Sequence, residues 1–92
     1  MATVIIPTPL RKFTHQEGRI QVDGDTVGEI IEKITQQFPD LKKHLLEPEG
    51  NLRSFINVFS GDEDIRDLQA EKTKVQSSTV ISIVPAIAGG VF

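Results

Sequence analysis

Hydrophobic and polar positions along the chain switch between two periods, and the switches set the order of elements. Thr3-Val4-Ile5-Ile6 is β-branched and stops at Pro7, with Pro9 just beyond. Proline has no N–H to give a sheet ladder, so a strand should end there and a loop begin. That loop runs from Leu10 through Arg11, Lys12, Phe13 and His15 to Gly18. Arg19-Ile20-Gln21-Val22 then alternates polar and apolar, the period of a half-buried strand, and Asp23-Gly24-Asp25 closes it as a turn.

The period changes at Thr26. Thr26-Val27-Gly28-Glu29 has the spacing of a capping box, in which the hydroxyl accepts from the Glu29 amide and the carboxylate reaches back. Val27, Ile30, Ile31, Ile34 and Phe38 then recur at helical spacing and define one buried stripe. Glu29 and Lys33 are spaced for a weak i,i+4 pair on the wet side. Pro39 disfavours helical dihedrals at Phe38 and should end the helix there. A second short helix is expected from Leu41 to Leu46, capped by Asp40 and ending before Pro48.

Glu49-Gly50-Asn51 reads as a turn, and Arg53 to Phe59 as a strand bounded by Gly61 and the acidic turn Asp62-Glu63-Asp64. From Ile65 to Lys74 the pattern is irregular, with Leu68 expected to anchor it. The last strand is Thr79 to Val84, terminated by Pro85. The order is strand, strand, helix, strand, irregular piece, strand. Such an order lets one helix cover one face of a mixed four- or five-stranded sheet, an α+β arrangement known as the β-grasp. The expected core is Val4, Ile6, Ile20, Val22, Val27, Ile30, Ile31, Ile34, Phe38, Leu45, Ile56, Val58, Leu68, Ile81 and Ile83. Both alternating sets of Phe55–Phe59 are largely apolar, so the sequence leaves its inward face open. If Ile81 and Ile83 face the helix, Val80, Ser82 and Val84 face away, and with part of the Phe55–Phe59 strand they form an exposed face for partners.

Composition narrows the function. The 92 residues suit one small domain that buries about two-thirds of its unfolded surface, leaving little room for an enclosed active site. A formal charge of −3 argues against a nucleic-acid binder driven by a strong phosphate-attracting field. With no cysteine, disulfides, thiolate metal sites and a cysteine nucleophile are excluded for this sequence. No apolar window is long enough for a membrane span, and the opening residues lack a secretory pattern. The expectation is a soluble cytoplasmic domain without nucleic-acid or membrane partners.

Few residues offer chemistry. His15 and His44 are expected at the surface, without metal-ligand spacing. Asp62, Glu63 and Asp64 lack the alternating ligand pattern of a calcium loop. Arg11, Lys12 and Arg19 form a small basic group, either a solvated edge or part of a docking surface. The C-terminal segment differs: Pro85 leads into Ala86-Ile87-Ala88 and then Gly89-Gly90. Small and apolar residues are unusual in a solvated tail, and glycines without Cβ can thread a narrow channel in another protein.

Phe55-Ile56-Asn57-Val58-Phe59, Glu63-Asp64-Ile65-Arg66 and the ending Ile83 to Gly90 together resemble the MoaD/ThiS family of ubiquitin-like sulfur carriers. The resemblance runs from Val4 to Gly90, and its most specific part is the strand-Pro-Ala-x-Ala-Gly-Gly ending. The opening Ile6 to Arg11 looks most like the carriers of cysteine biosynthesis. The resemblance implies a single domain over 1–90, with a flexible tail from about 85, that is a protein substrate and binds no cofactor itself. An E1-like enzyme would use ATP and magnesium to adenylate the carboxylate of Gly90. Sulfur would then displace AMP and leave a thiocarboxylate. Val84, Pro85, Ala86, Ile87, Ala88 and Gly89, with Ser82, Phe55 and Phe59, would dock the tail and its base on partners. The implied sulfur acceptor is a cysteine synthase, or else the large subunit of molybdopterin synthase.

The sequence departs from the family pattern because Val91 and Phe92 follow Gly90. The resemblance implies a precursor whose Gly90–Val91 bond is cut by a zinc-dependent JAMM-type peptidase, removing 91–92. The alternatives are the small subunit of molybdopterin synthase, a ubiquitin-like modifier joined through Gly90 to lysines, and a β-grasp binding module with an inert tail.

Overall fold

A computed structural model describes residues 1–85 of the chain. Its strands are β1 (Ala2–Ile5), β2 (Arg19–Val22), β3 (Ile56–Ser60), β4 (Glu63–Asp64) and β5 (Val80–Pro85), and its α-helices are α1 (Val27–Gln37) and α2 (Pro39–Leu45). Short 3₁₀ helices cover Thr8–Phe13, Ile65–Asp67 and Ala70–Lys72. The strands form one mixed sheet in the order β2-β1-β5-β3-β4. β1 and β5 lie parallel at its centre, with Val4 opposite Ile81 and Ile5 opposite Ser82. The other pairings are antiparallel: β1 with β2, β3 with β5 and β3 with β4. This is the β-grasp order expected from the sequence, with five strands.

Every inward strand position belongs to one set. Val4, Ile20, Val22, Ile56, Val58, Ile81 and Ile83 are buried with Val27, Ile30, Ile31 and Ile34 of α1 and Leu41 and Leu45 of α2 in a single core. The ambiguity of Phe55–Phe59 is resolved by register. Val58 pairs with Ile83 and Ile56 with Pro85, so the aliphatic residues turn inward. Phe55 is left 44% exposed.

The start of α1 follows its local chemistry. Thr26 Oγ1 accepts from the Glu29 N–H at 3.2 Å. Glu29 Oε1 accepts from the Asp25 N–H at 2.9 Å, one residue earlier than the reciprocal bond of a capping box. This satisfies the Glu29 carboxylate locally, and among the described residues the ion pair found is Arg66–Asp64, not Glu29–Lys33.

Four expectations are corrected. Leu68 is 38% exposed, whereas Ile65 is 2% exposed and anchors this stretch. Asp64 accepts from the Arg66 N–H at 2.9 Å and starts a 3₁₀ turn that drives Ile65 inward. Asp40 does not cap α2: Phe38 holds the cap position without a side-chain bond, and Pro39 opens the helix where its missing N–H costs nothing. The supposed loop after Pro7 is a 3₁₀ helix over Thr8–Phe13 that buries Leu10. β3 begins at Ile56 rather than Arg53, because the Ile56 N–H turns back to the Arg53 carbonyl at 2.9 Å.

Candidate functional site

β5 is the strand that leads in sequence to residues 86–92. It lies between β1 and β3, pairing with both as far as Ser82 and with β3 alone from Ile83 to Pro85, which stands opposite Ile56. Ala86, Ile87, Ala88, Gly89, Gly90 and Val91, expected as tail, activation and processing residues, lie outside the described residues. The last described residue, Pro85, is therefore held in the sheet through β3.

The outward residues of β5 meet those of β3. Val80 is 39% and Val84 43% exposed, while Ser82 is half-buried. Val84 stands opposite Asn57, and Ser82 lies between Ile5 and the half-buried Phe59. Phe55, Phe59, Ser82 and Val84 are thus brought to one face of the sheet, while Pro85, opposite the buried Ile56, falls on the helix side. The helices cover the other face. Exposed apolar side chains gathered around an outgoing chain segment suit a docking surface.

One feature of this face was not anticipated. Arg66 binds Asp64 through Nε at 3.1 Å and Nη2 at 2.7 Å, and Nη2 also donates to Asn57 Oδ1. Side-chain and then backbone hydrogen bonds from Arg66 hold the Asp64 carboxyl below its usual value of 3.8. The fork fixes an arginine beside Asn57, the neighbour of Val84, and presents a preorganised cation at the edge of the apolar patch. Its sequence signal was the Asp-x-Arg spacing, but the Asn57 contact crosses from another strand.

His15 is exposed, as expected, and His44 half-buried, and each meets an aromatic ring. His44 stacks on Phe13 with centroids 4.1 Å apart, and His15 meets Phe38 edge-on at 5.5 Å. The first contact fastens the Thr8–Phe13 helix to α2, and the second ties the turn after that helix to Phe38 between α1 and α2. Burial foremost, then Lys43, Lys12 and Arg53, lower the His44 pKa below 6.5, and Asp40 opposes them. His44 is half-buried, not the surface residue expected. An open groove of about 600 Å³ runs along the helical side between α1, Lys42 of α2 and the turn at Gly50–Leu52. It is on the opposite side of the sheet from Val84. Among the described residues, no three His, Asp or Glu side chains gather to hold a metal.

Residues 4–90 match the ThiS family. The sulfur carrier protein CysO of Mycobacterium tuberculosis is 33% identical over 90 residues, covering 96% of this chain and 97% of the relative. A chain of the Amycolatopsis orientalis BexX/CysO complex superposes with a TM-score of 0.88 at 38% identity, covering 98% of this chain and all of that one. Small archaeal modifier protein 3 of Haloferax volcanii is 27% identical over 71 residues, 76% of each chain. With the five-stranded sheet and the resemblance already read from the sequence, these matches identify the chain. It belongs to the ThiS family of ubiquitin-like sulfur carriers, small protein substrates rather than catalysts.

Proposed function

We propose that the protein carries sulfur as a thiocarboxylate on Gly90, in the service of cysteine biosynthesis. The observation that carries the reading is its similarity to CysO along nearly the whole of both chains. The Gly89-Gly90 pair following the strand-Pro ending of β5 supports it.

The chemistry follows from the electrophile. A carboxylate is a poor acceptor of nucleophiles, and in this sequence that of Gly90 is held in the Gly90–Val91 peptide bond. Hydrolysis of that bond by a JAMM-type metallopeptidase frees it. An E1-like enzyme then joins it to AMP from ATP with magnesium, releasing pyrophosphate. A sulfide-level nucleophile attacks the acyl carbon, forms the C–S bond and expels AMP, without net oxidation. The chain itself contributes an unhindered glycine terminus and a docking face around Val84. The thiocarboxylate sulfur then displaces the leaving group of an activated acceptor on a cysteine synthase, the proposed final partner. Hydrolysis of the resulting Gly90 acyl–sulfur bond leaves the sulfur on the acceptor and restores the Gly90 carboxylate. That a CysO chain was solved in complex with BexX supports handing-over between folded proteins.

The similarity to small archaeal modifier protein 3 favours one second reading, in which Gly90 is joined to lysines of other proteins. Incubating the chain ending at Gly90 with its E1-like enzyme, ATP and sulfide separates the two. A thiocarboxylate without lysine conjugates is the expected product. A ladder of conjugates with no thiocarboxylate would overturn the carrier reading.

A further inference from the structure

The charges of this acidic chain are sorted along β5. Midway along it, Ile5 of β1 stands between Ser82 and Arg19, and the parallel β1 runs on toward the C-terminal end of β5. The chain turns there into the 3₁₀ helix, where Arg11 Nε donates to the Ile6 carbonyl at 3.0 Å and Lys12 Nζ lies 5.3 Å from the Phe13 ring centre. Phe13 stacks on His44, the neighbour of Lys43. On the other flank Ile56 faces Pro85, and just before it Arg53 Nε donates to the Lys43 carbonyl at 2.8 Å. Arg11, Lys12, Lys43 and Arg53 thus lie around the end of the sheet where β5 finishes at Pro85, with Arg19 beside its middle. Glu17, Asp40, Glu47 and Glu49 lie on the same segments, yet among the described residues none forms an ion pair with these cations.

Acids outnumber bases at the opposite end, where Lys74 is bridged to Thr26. The Gly61 N–H donates to the Val80 carbonyl at 2.9 Å, placing the Asp62-Glu63 turn at the start of β5. The Val75 N–H donates to the Asp25 carbonyl at 2.9 Å, and the Asp25 N–H is held by Glu29. The length of β5, roughly 17 Å at about 3.3 Å per residue, separates the poles. That exceeds the Debye length of about 8 Å at physiological ionic strength. A partner approaching the tail therefore meets the basic end and is screened from the acidic one.

We infer that this basic collar docks against an acidic rim around the opening through which enzymes acting on Gly90 receive the tail. The inference rests on the carrier reading and adds the chemistry of the partner surface. Five residues allow a span of up to roughly 18 Å from Pro85 to Gly90, enough for the collar to meet the rim while Gly90 is at the reacting centre. Nucleic acid is the other polyanion, but a formal charge of −3 and carboxylates within the collar oppose a continuous phosphate backbone.

The test compares ATP-dependent pyrophosphate release from the chain ending at Gly90, whose buried core lies within the described residues, using the E1-like enzyme of its own cells. The variants are Lys12→Glu with Lys43→Glu in the collar, and Lys72→Glu with Lys74→Glu away from it. All four lysines are exposed, and circular dichroism melting checks the fold of each pair. Collar reversal should lower kcat/KM about tenfold at low salt with kcat unchanged. The gap should close near 1 M salt, where the Debye length is about 3 Å. The second pair, with the same change in net charge, should keep the parent kcat/KM. Equal losses in both pairs, or none in either, would remove the collar while leaving the carrier reading intact. Binding of a labelled oligonucleotide that collar reversal abolishes would assign the collar to nucleic acid instead. If even the parent chain released no pyrophosphate, both readings would fall.

Discussion

Adjacent on β5, Ile83 and Val84 turn to opposite faces of the sheet: Ile83 is 2% exposed and Val84 43%. Replacing Val84 by Asn removes an apolar contact at similar size, and Val84→Asp adds a charge. Full burial of a valine is worth about 1.5–3 kcal/mol. Since the folded chain leaves only 43% of Val84 for a partner to cover, the available contact is about 0.6–1.3 kcal/mol. Val84→Asn should therefore weaken binding to the E1-like enzyme roughly three- to ninefold. Val84→Asp should weaken it further, because the carboxylate must also lose water. Neither should unfold the domain: strand propensities span about 1 kcal/mol, against a typical stability of about 5–15 kcal/mol. Ile83→Asp, by contrast, places an unpaired carboxylate in the core and should abolish the cooperative melt. Titration calorimetry for affinity and circular dichroism for folding read the two effects separately. Undiminished affinity in folded Val84→Asn and Val84→Asp would refute this docking face.

Ile65→Ala should cost about 2–5 kcal/mol by leaving a cavity, whereas the exposed Leu68→Ala should cost well under that, as urea unfolding will show. Thr26→Ala removes the acceptor for the Glu29 N–H and should destabilise the chain by about 0.5–2 kcal/mol, read from the same unfolding curves. The folded-state pKa of His44 lies below 6.5, so the unfolded chain binds the extra proton first. The stability tied to His44 is therefore present above 6.5 and lost as pH falls toward the folded value, and His44→Gln should flatten that part of the melting-temperature profile.

The parts of the fold legible in the sequence were those with a sustained period. Val27 to Phe38 repeats over several turns, and Arg19–Val22 alternates cleanly, so both appear where expected. The inward face of β3 was not legible, because both alternating sets are apolar and only pairing with β5 chooses between them. Ile65 and Leu68 sit three apart in a segment with no long period, and a single aspartate-capped turn decides which is buried. The same limit applied to the site. Ser82 and Val84 were readable as outward positions from alternation, whereas Phe55 belongs to the run whose face the sequence left open. The Arg66–Asn57 contact joins different elements, and the basic collar is assembled from separate segments, so neither has a linear signature.

The central claim is that Gly90 becomes a thiocarboxylate, and intact mass spectrometry of the protein from its own cells tests it most directly. The account predicts a chain whose last residue is Gly90, carrying the mass of one sulfur in place of one oxygen. Reagents that alkylate thiocarboxylates should discharge that increment. A population that keeps Val91 after Gly90 under all growth conditions and never exchanges oxygen for sulfur would contradict it.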